Sequence, residues 1–206
     1  PGAIVEGNDI LSTQADSSAT VEIRNSPDSQ FNNNKINSNL AIVENARHQL
    51  SVQNSARGTF NNNEIDSCRL PGSITVEFYE SPDAKFHDNK ILNRITNDAE
   101  GPLHKLRVHG SADSTIIGND IASATLSGST AVIITWSEGA RFSSNEIDGD
   151  PTPSINNQLR VENCYKVTVT DNEFRMKPNG KKQTVHIRDS GDCYVIGNKL
   201  FNPNAN

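Results

Sequence analysis

The chain is poor in the residues that build a thick core. Only 33% of its 206 residues are hydrophobic and 5% aromatic, with one Trp and one Met, and the mean hydropathy is −0.59. A two-layer domain of this length is normally richer in apolar residues. No apolar run approaches the ~20 residues of a membrane-spanning helix. No basic segment followed by an apolar one opens the chain, so no signal peptide is visible. Charge of one sign is not concentrated either. The 19 Lys+Arg and 25 Asp+Glu give −6, with a pI near 5.3 and no basic stripe for nucleic acid. Cys68, Cys164 and Cys193 lack metal-ligand spacing and are too few for a disulfide scaffold. Cys164, at a position held by Ser in other units, is read as a buried free thiol, a Cys164–Cys193 bridge being the alternative. No Asn-x-Ser/Thr sequon occurs, which points away from eukaryotic glycosylation.

Asparagine is abundant instead, with 26 residues, about one in eight. Short phrases recur around it: GNDI, NNNKI, NNNEI, HDNKI, SSNEI, TDNEF, GNKL. Each holds an asparagine two residues before an aliphatic residue or Phe. These are Asn8, Asn34, Asn63, Asn89, Asn119, Asn145, Asn172 and Asn198, spaced 26 to 30 residues apart. Thirteen residues before each of the last seven stands an aliphatic residue (Val21, Leu50, Val76, Leu106, Val132, Leu159, Val185). Further positions hold a second apolar residue, a Ser or Cys, and a Phe, Ile or Val. The register holds within all seven units, and insertions fall only between them. Repeats of this kind define the architecture before any local reading does.

V-x-I-x alternates with period two, as in a strand with one buried face. The segments around F-x-x-N and the following aliphatic residue read as two more short strands. Three short strands per unit, each stacking on its equivalent ~4.8 Å away, describe a parallel β-solenoid. Its interior would be stacks of like side chains: aliphatic, Phe, Ser and Asn ladders. Leucine-rich, propeller and hexapeptide repeats have other signatures.

The V-x-I-x-x-S…F-x-x-N-x-I unit resembles the right-handed parallel β-helix superfamily, the pectate-lyase-like fold, from about Val5 to Leu200. The resemblance implies an all-β, single-domain solenoid over residues 1–206, of about seven full coils of 26–30 residues. It also implies that the asparagines lie in the turn between the second and third strands. The variable segments (37–48, 66–73, 92–104, 122–130, 148–157, 175–183) then form the third turn, and substrate lies along the first strand. The chain opens and closes in the same phase of a coil with no capping helix. It is therefore expected to be part of a longer chain or of an end-to-end assembly.

Outward positions of the first strand are the candidate binding face. They include Glu22 and Arg24, Glu77 and Tyr79, Arg107 and His109, Arg160 and Glu162, and His186 and Arg188. Arg would pair acidic groups on a glycan and aromatics would stack on sugar rings. The alternative is an ordinary solvated strand face on which Glu and Arg offset one another between coils. As an enzyme, the protein would be a polysaccharide lyase or epimerase, or a glycoside hydrolase. Proton abstraction at a uronate would use Glu77, Tyr79, Arg107 and His109 on adjacent coils, with His104 and Arg94 closing over them from the longest loop. Arg160, Glu162, Trp136 and His104 are the expected substrate-binding residues. Hydrolysis would need two carboxylates. Glu22 and Glu77 stand two coils apart, near the wide limit for that chemistry.

The polygalacturonase and mannuronan-epimerase signatures are absent. No cofactor is expected: Glu146, Asp148 and Asp150 cluster by a turn and offer oxygen ligands for Ca²⁺, but the favoured reading is a solvated Asp-Gly turn. The expected role is binding, and cleavage or epimerisation, of an acidic or neutral polysaccharide by an extracellular or virion-borne protein of bacterial or phage origin. The alternative is a non-catalytic structural or adhesive solenoid, such as part of a phage fibre, forming homo-oligomers or continuing at both ends.

Overall fold

The computed structural model describes residues 2–12, 19–38, 47–68, 70–93, 101–122, 128–148, 157–175 and 183–201. Among these residues all regular structure is β, in 23 short strands. Strands Ile4–Glu6 and Asp9–Ser12 open the chain. Seven three-strand units follow, the first being Ala19–Arg24, Gln30–Asn32 and Lys35–Ser38. Equivalent strands pair in parallel into sheets of seven first strands, eight second strands and eight third strands. From the first complete unit to the last, the solenoid advances about six turns.

The sequence register becomes the pairing register. Phe31 pairs with Phe60, Phe60 with Phe86, and Phe86 with Ile116. These side chains are fully buried, as are Leu50, Val76, Leu106, Val132 and Leu159 from the first sheet. Phe78 packs edge-on against Phe60 and Phe86, with centroids 5.0 and 5.6 Å away. Each such side chain contributes roughly 1.5–3 kcal/mol by burial. The core is narrow but continuous along the axis, so few apolar residues suffice.

The buried polar columns are hydrogen-bonded in series. The backbone N–H and side-chain amide of Asn63 both donate to Oδ1 of Asn89, each at 2.9 Å. The Asn63 amide also donates to the Phe31 carbonyl at 2.8 Å. The pattern repeats from Asn8 to Asn198. It satisfies backbone groups that the turn leaves without a strand partner. The Ser column works similarly: the Ser55 N–H donates to Ser81 Oγ at 3.1 Å, and the Ser137 N–H to Cys164 Sγ at 3.4 Å. Cys164 thus takes a serine's place, and all three cysteines are unbridged.

Three corner positions per unit adopt the left-handed conformation. The residue after each first strand does so (Asn25, Asn54, Glu80, Gly110, Trp136, Asn163, Asp189), as does the residue before each ladder asparagine (Gly7, Asn33, Asn62, Asp88, Gly118, Ser144, Asp171, Gly197). Gly, Asn and Asp tolerate this region best. Asparagines 25, 33, 54, 62 and 163 therefore shape corners, a role distinct from that of the hydrogen-bonded series.

The first strands begin earlier than the V-x-I-x pattern suggests, at the residue two before its first aliphatic position. The next residue is passed over in the pairing: His104 and Leu106 both pair with the following strand, while Lys105 between them does not. Lys105 turns inward, is fully buried, and donates from Nζ to Ser67 Oγ and to Asn93 Oδ1. This irregularity brings His48, Ile74 and His104, the leading residues of their strands, onto the outer face. His104, expected on a loop, is the first residue of strand His104–His109. Much of the expected variable third turn, including Arg94, lies outside the described residues.

Candidate active site

The outer face of the first sheet carries three side-chain columns: the leading residue of each strand, the residue three on, and the residue five on. In the units that begin at His48, Ile74 and His104, these columns converge on Glu77. Its carboxylate, only 9% exposed, places Oε1 3.3 Å from Arg107 Nη1 and Oε2 3.7 Å from His48 Nε2. Adjacent, the rings of Tyr79 and His109 are stacked at 5.1 Å, 11° from parallel. His109 Nδ1 lies 2.8 Å from Thr135 Oγ1. Beside this cluster lies a groove of about 710 Å³ lined by Arg47, His48, Gln53, Glu77, Tyr79 and Arg107, with the 70–74 segment as one wall.

The imidazoles here are held toward the neutral form. Burial lowers the pKa of His48, partly offset by the Glu77 charge. Burial and then Arg107 lower that of His109. His104 is pushed down to about 4, chiefly by burial, with Arg107 and Arg160 adding repulsion, while its bond to the Thr130 carbonyl (Nδ1 to O, 3.1 Å) opposes the shift. Positive charge at neutral pH therefore comes from arginine, and the histidines are proton acceptors or neutral donors.

The structure brings together Glu77, Tyr79, Arg107 and His109. It adds His48, Arg47 and Gln53, which the sequence reading had not assigned to this cluster. The missed signal is the passed-over residue: without it, His48 alternates to the wrong face. Arg160 and Glu162 pair on one strand at 2.5 Å, in the same columns but beyond the groove. Trp136 sits elsewhere, in a separate corner cleft with Tyr165. Glu22 is bound to Arg24 of its own strand at 2.5 Å, and Ser51 stands between it and Glu77 in the register. No opposed carboxylate pair is formed there. In the acidic turn, Arg175 Nη1 lies 2.7 Å from Glu146 and 3.7 Å from Asp148. The guanidinium thus pairs two of the three acids of this turn, and Asp150 lies outside the described residues.

No family model and no curated protein matches the chain. Among solved structures, it is similar to a mutant of the periplasmic alginate epimerase AlgG, at 10% identity and a TM-score of 0.56, over 98% of this chain and 51% of that one. It also aligns with the enzymatically active domain of bacteriophage CBA120 tailspike protein 2, at 10% identity and a TM-score of 0.44, over 98% of this chain and 36% of that one. The chain thus spans about half the length of the epimerase. At this identity the likeness establishes the parallel β-helix fold and leaves the chemistry to the residues.

Proposed function

We propose that the chain binds an acidic polysaccharide along the outer face of its first sheet and acts on a uronate residue in the groove beside Glu77. The observation that supports this most is the cluster itself: a nearly buried carboxylate held by Arg107 and flanked by His48, next to a stacked Tyr79–His109 pair, in a groove open to a chain-like ligand. Abstraction of a uronate C5 proton becomes feasible when the neighbouring sugar carboxylate is neutralised. Arg107, with Arg47 at the rim, supplies the cation. Glu77 fixes the guanidinium. His109, kept neutral, accepts the proton. In β-elimination the C5–H pair forms the new double bond, the C4–O bond breaks, and Tyr79 protonates the departing oxygen. In epimerisation His109 and Tyr79 stand on one side of the sugar, so solvent water delivers the returning proton to the opposite face of C5, and His109 then releases its own proton to solvent.

The fold likeness to an epimerase named for alginate agrees with this substrate class. The periplasmic location of that epimerase and the extracellular occurrence of acidic glycans support an extracellular or virion-associated setting. The test is calorimetric binding of alginate and polygalacturonate, together with ultraviolet detection of unsaturated products and proton NMR of the uronate configuration. Wild type is expected to bind and convert at least one polymer. Arg107→Ala should weaken binding, and His109→Gln or Tyr79→Phe should abolish turnover while sparing binding. Failure of every uronate polymer to bind, or binding indifferent to Arg107→Ala, would overturn the proposal.

A further inference from the structure

A second cleft, of about 360 Å³, opens at the corner between the first and second sheets and is separate from the Glu77 groove. Trp136 and Tyr165, on successive units, flank it. They are 62% and 47% exposed. Large aromatic faces left open to water need a reason, and three observations bear on it.

The first is backbone strain. Trp136 has φ of 54°, at a column whose other members are Asn, Asp, Gly and one Glu. A bulky side chain in this region is a true outlier, and such outliers gather at functional sites.

The second is that the Tyr165 ring, although exposed, is seated. A Cβ added at Gly191 would lie 2.7 Å from its Cε2 atom, so the glycine there lets the ring lie flat against the next unit. The Lys166 ammonium lies 5.5 Å from the ring centroid, and the Asp192 carboxylate beside the hydroxyl raises its pKa above the usual phenolic value.

The third is charge. Of the carboxylates lining the cleft, Glu138 is paired with Lys166 at 3.7 Å and Asp189 with Arg188 at 2.9 Å. The lining thus offers acceptor oxygens and apolar faces. Among the described residues the lining holds no basic side chain, so a uronate or sulfate would find no cation there to pair with, whereas a neutral pyranose needs none.

We infer that Trp136 and Tyr165 form a stacking subsite for a neutral sugar residue, distinct from the uronate groove. The C–H faces of the pyranose pack on the rings, and its hydroxyls bond Glu138, Asn163 and Asp189. The site stands independently of the uronate reading.

Trp136 is the chain's single tryptophan, so its emission reports this cleft alone. The intact chain is titrated with neutral gluco-, manno- and galacto-configured hexasaccharides and, in parallel, with oligogalacturonate. At least one neutral series is expected to shift the emission saturably. Tyr165→Ala should weaken that response about tenfold or more, Tyr165→Phe should retain it, and Arg107→Ala should leave it within about twofold. Calorimetry on Trp136→Asn, which installs the residue this corner prefers, should show a raised Tm together with lost binding. The inference is overturned if no neutral hexasaccharide moves the emission at millimolar concentration, if oligogalacturonate alone does, or if either Tyr165→Ala or Trp136→Asn binds as wild type.

Discussion

Glu77 and Arg107 meet across one turn of the solenoid, Oε1 to Nη1 at 3.3 Å, and the acid is the more deeply buried partner, at 9% exposure against 34%. That asymmetry makes the two single substitutions unequal. Arg107→Ala leaves a nearly buried carboxylate without its cation and should cost about 2–4 kcal/mol. Glu77→Gln leaves an arginine that reaches water and should cost about 1 kcal/mol. The double variant Glu77→Gln/Arg107→Ala should fall short of the sum by about 1–2 kcal/mol, as urea unfolding would show. Strict additivity would mean that the contact carries no coupling.

The asparagine series should weaken stability unequally along the axis. Asn89→Ala removes the acceptor used by the Asn63 N–H and amide, and the donor to the Phe60 carbonyl, all within the buried interior. Leaving two or three buried polar groups without partners should cost about 3–5 kcal/mol. Asn8, exposed to water, donates its N–H and side-chain amide to Asn34 Oδ1. Asn8→Ala should therefore cost about 1 kcal/mol. Denaturant midpoints of the two variants would separate these values, and equal losses would count against the series as a structural element.

His104 makes stability depend on acid. Its pKa falls from the usual 6.5 to about 4 in the folded chain, with burial the largest cause. Above pH 6.5 the group is neutral in both states and its contribution is fully present. As the pH falls toward 4, the unfolded chain takes up the proton first and stability is lost, by up to about 3 kcal/mol. Thermal melts across this window should therefore fall with acid. His104→Gln, which keeps a donor for the Thr130 carbonyl, should flatten that fall. An unchanged slope would assign the acid sensitivity to other groups.

Much of the molecule was legible because a solenoid reuses one local solution. The apolar columns, the Ser and Asn positions and the order of the three sheets follow from a register that holds through every unit. Each unit packs only on its neighbours, so the local period is the tertiary plan. The cluster of Glu77, Tyr79, Arg107 and His109 was legible for the same reason, since equal positions in adjacent units must be neighbours. His48 was not. One passed-over residue flips the strand's alternation, and no side chain announces it: Gln49, Thr75, Lys105, Ala131 and Gln158 share no common chemistry. The corner asparagines were also opaque, because a hydrogen-bonding amide and a residue chosen for its left-handed backbone carry the same letter.

By itself the sequence determined the repeat, and with it the thin continuous core that a low apolar content first seemed to deny. Tertiary structure alone decided which polar residues meet. It turned Glu22 toward Arg24 and away from Glu77, put Arg175 among the acids of the 146–148 turn, and set Trp136 beside Tyr165 in a cleft of its own. Periodicity fixes an axial position to within one strand spacing, whereas chemistry depends on side-chain direction and on distances of a few ångströms, which corners, irregular pairing and ion pairs settle.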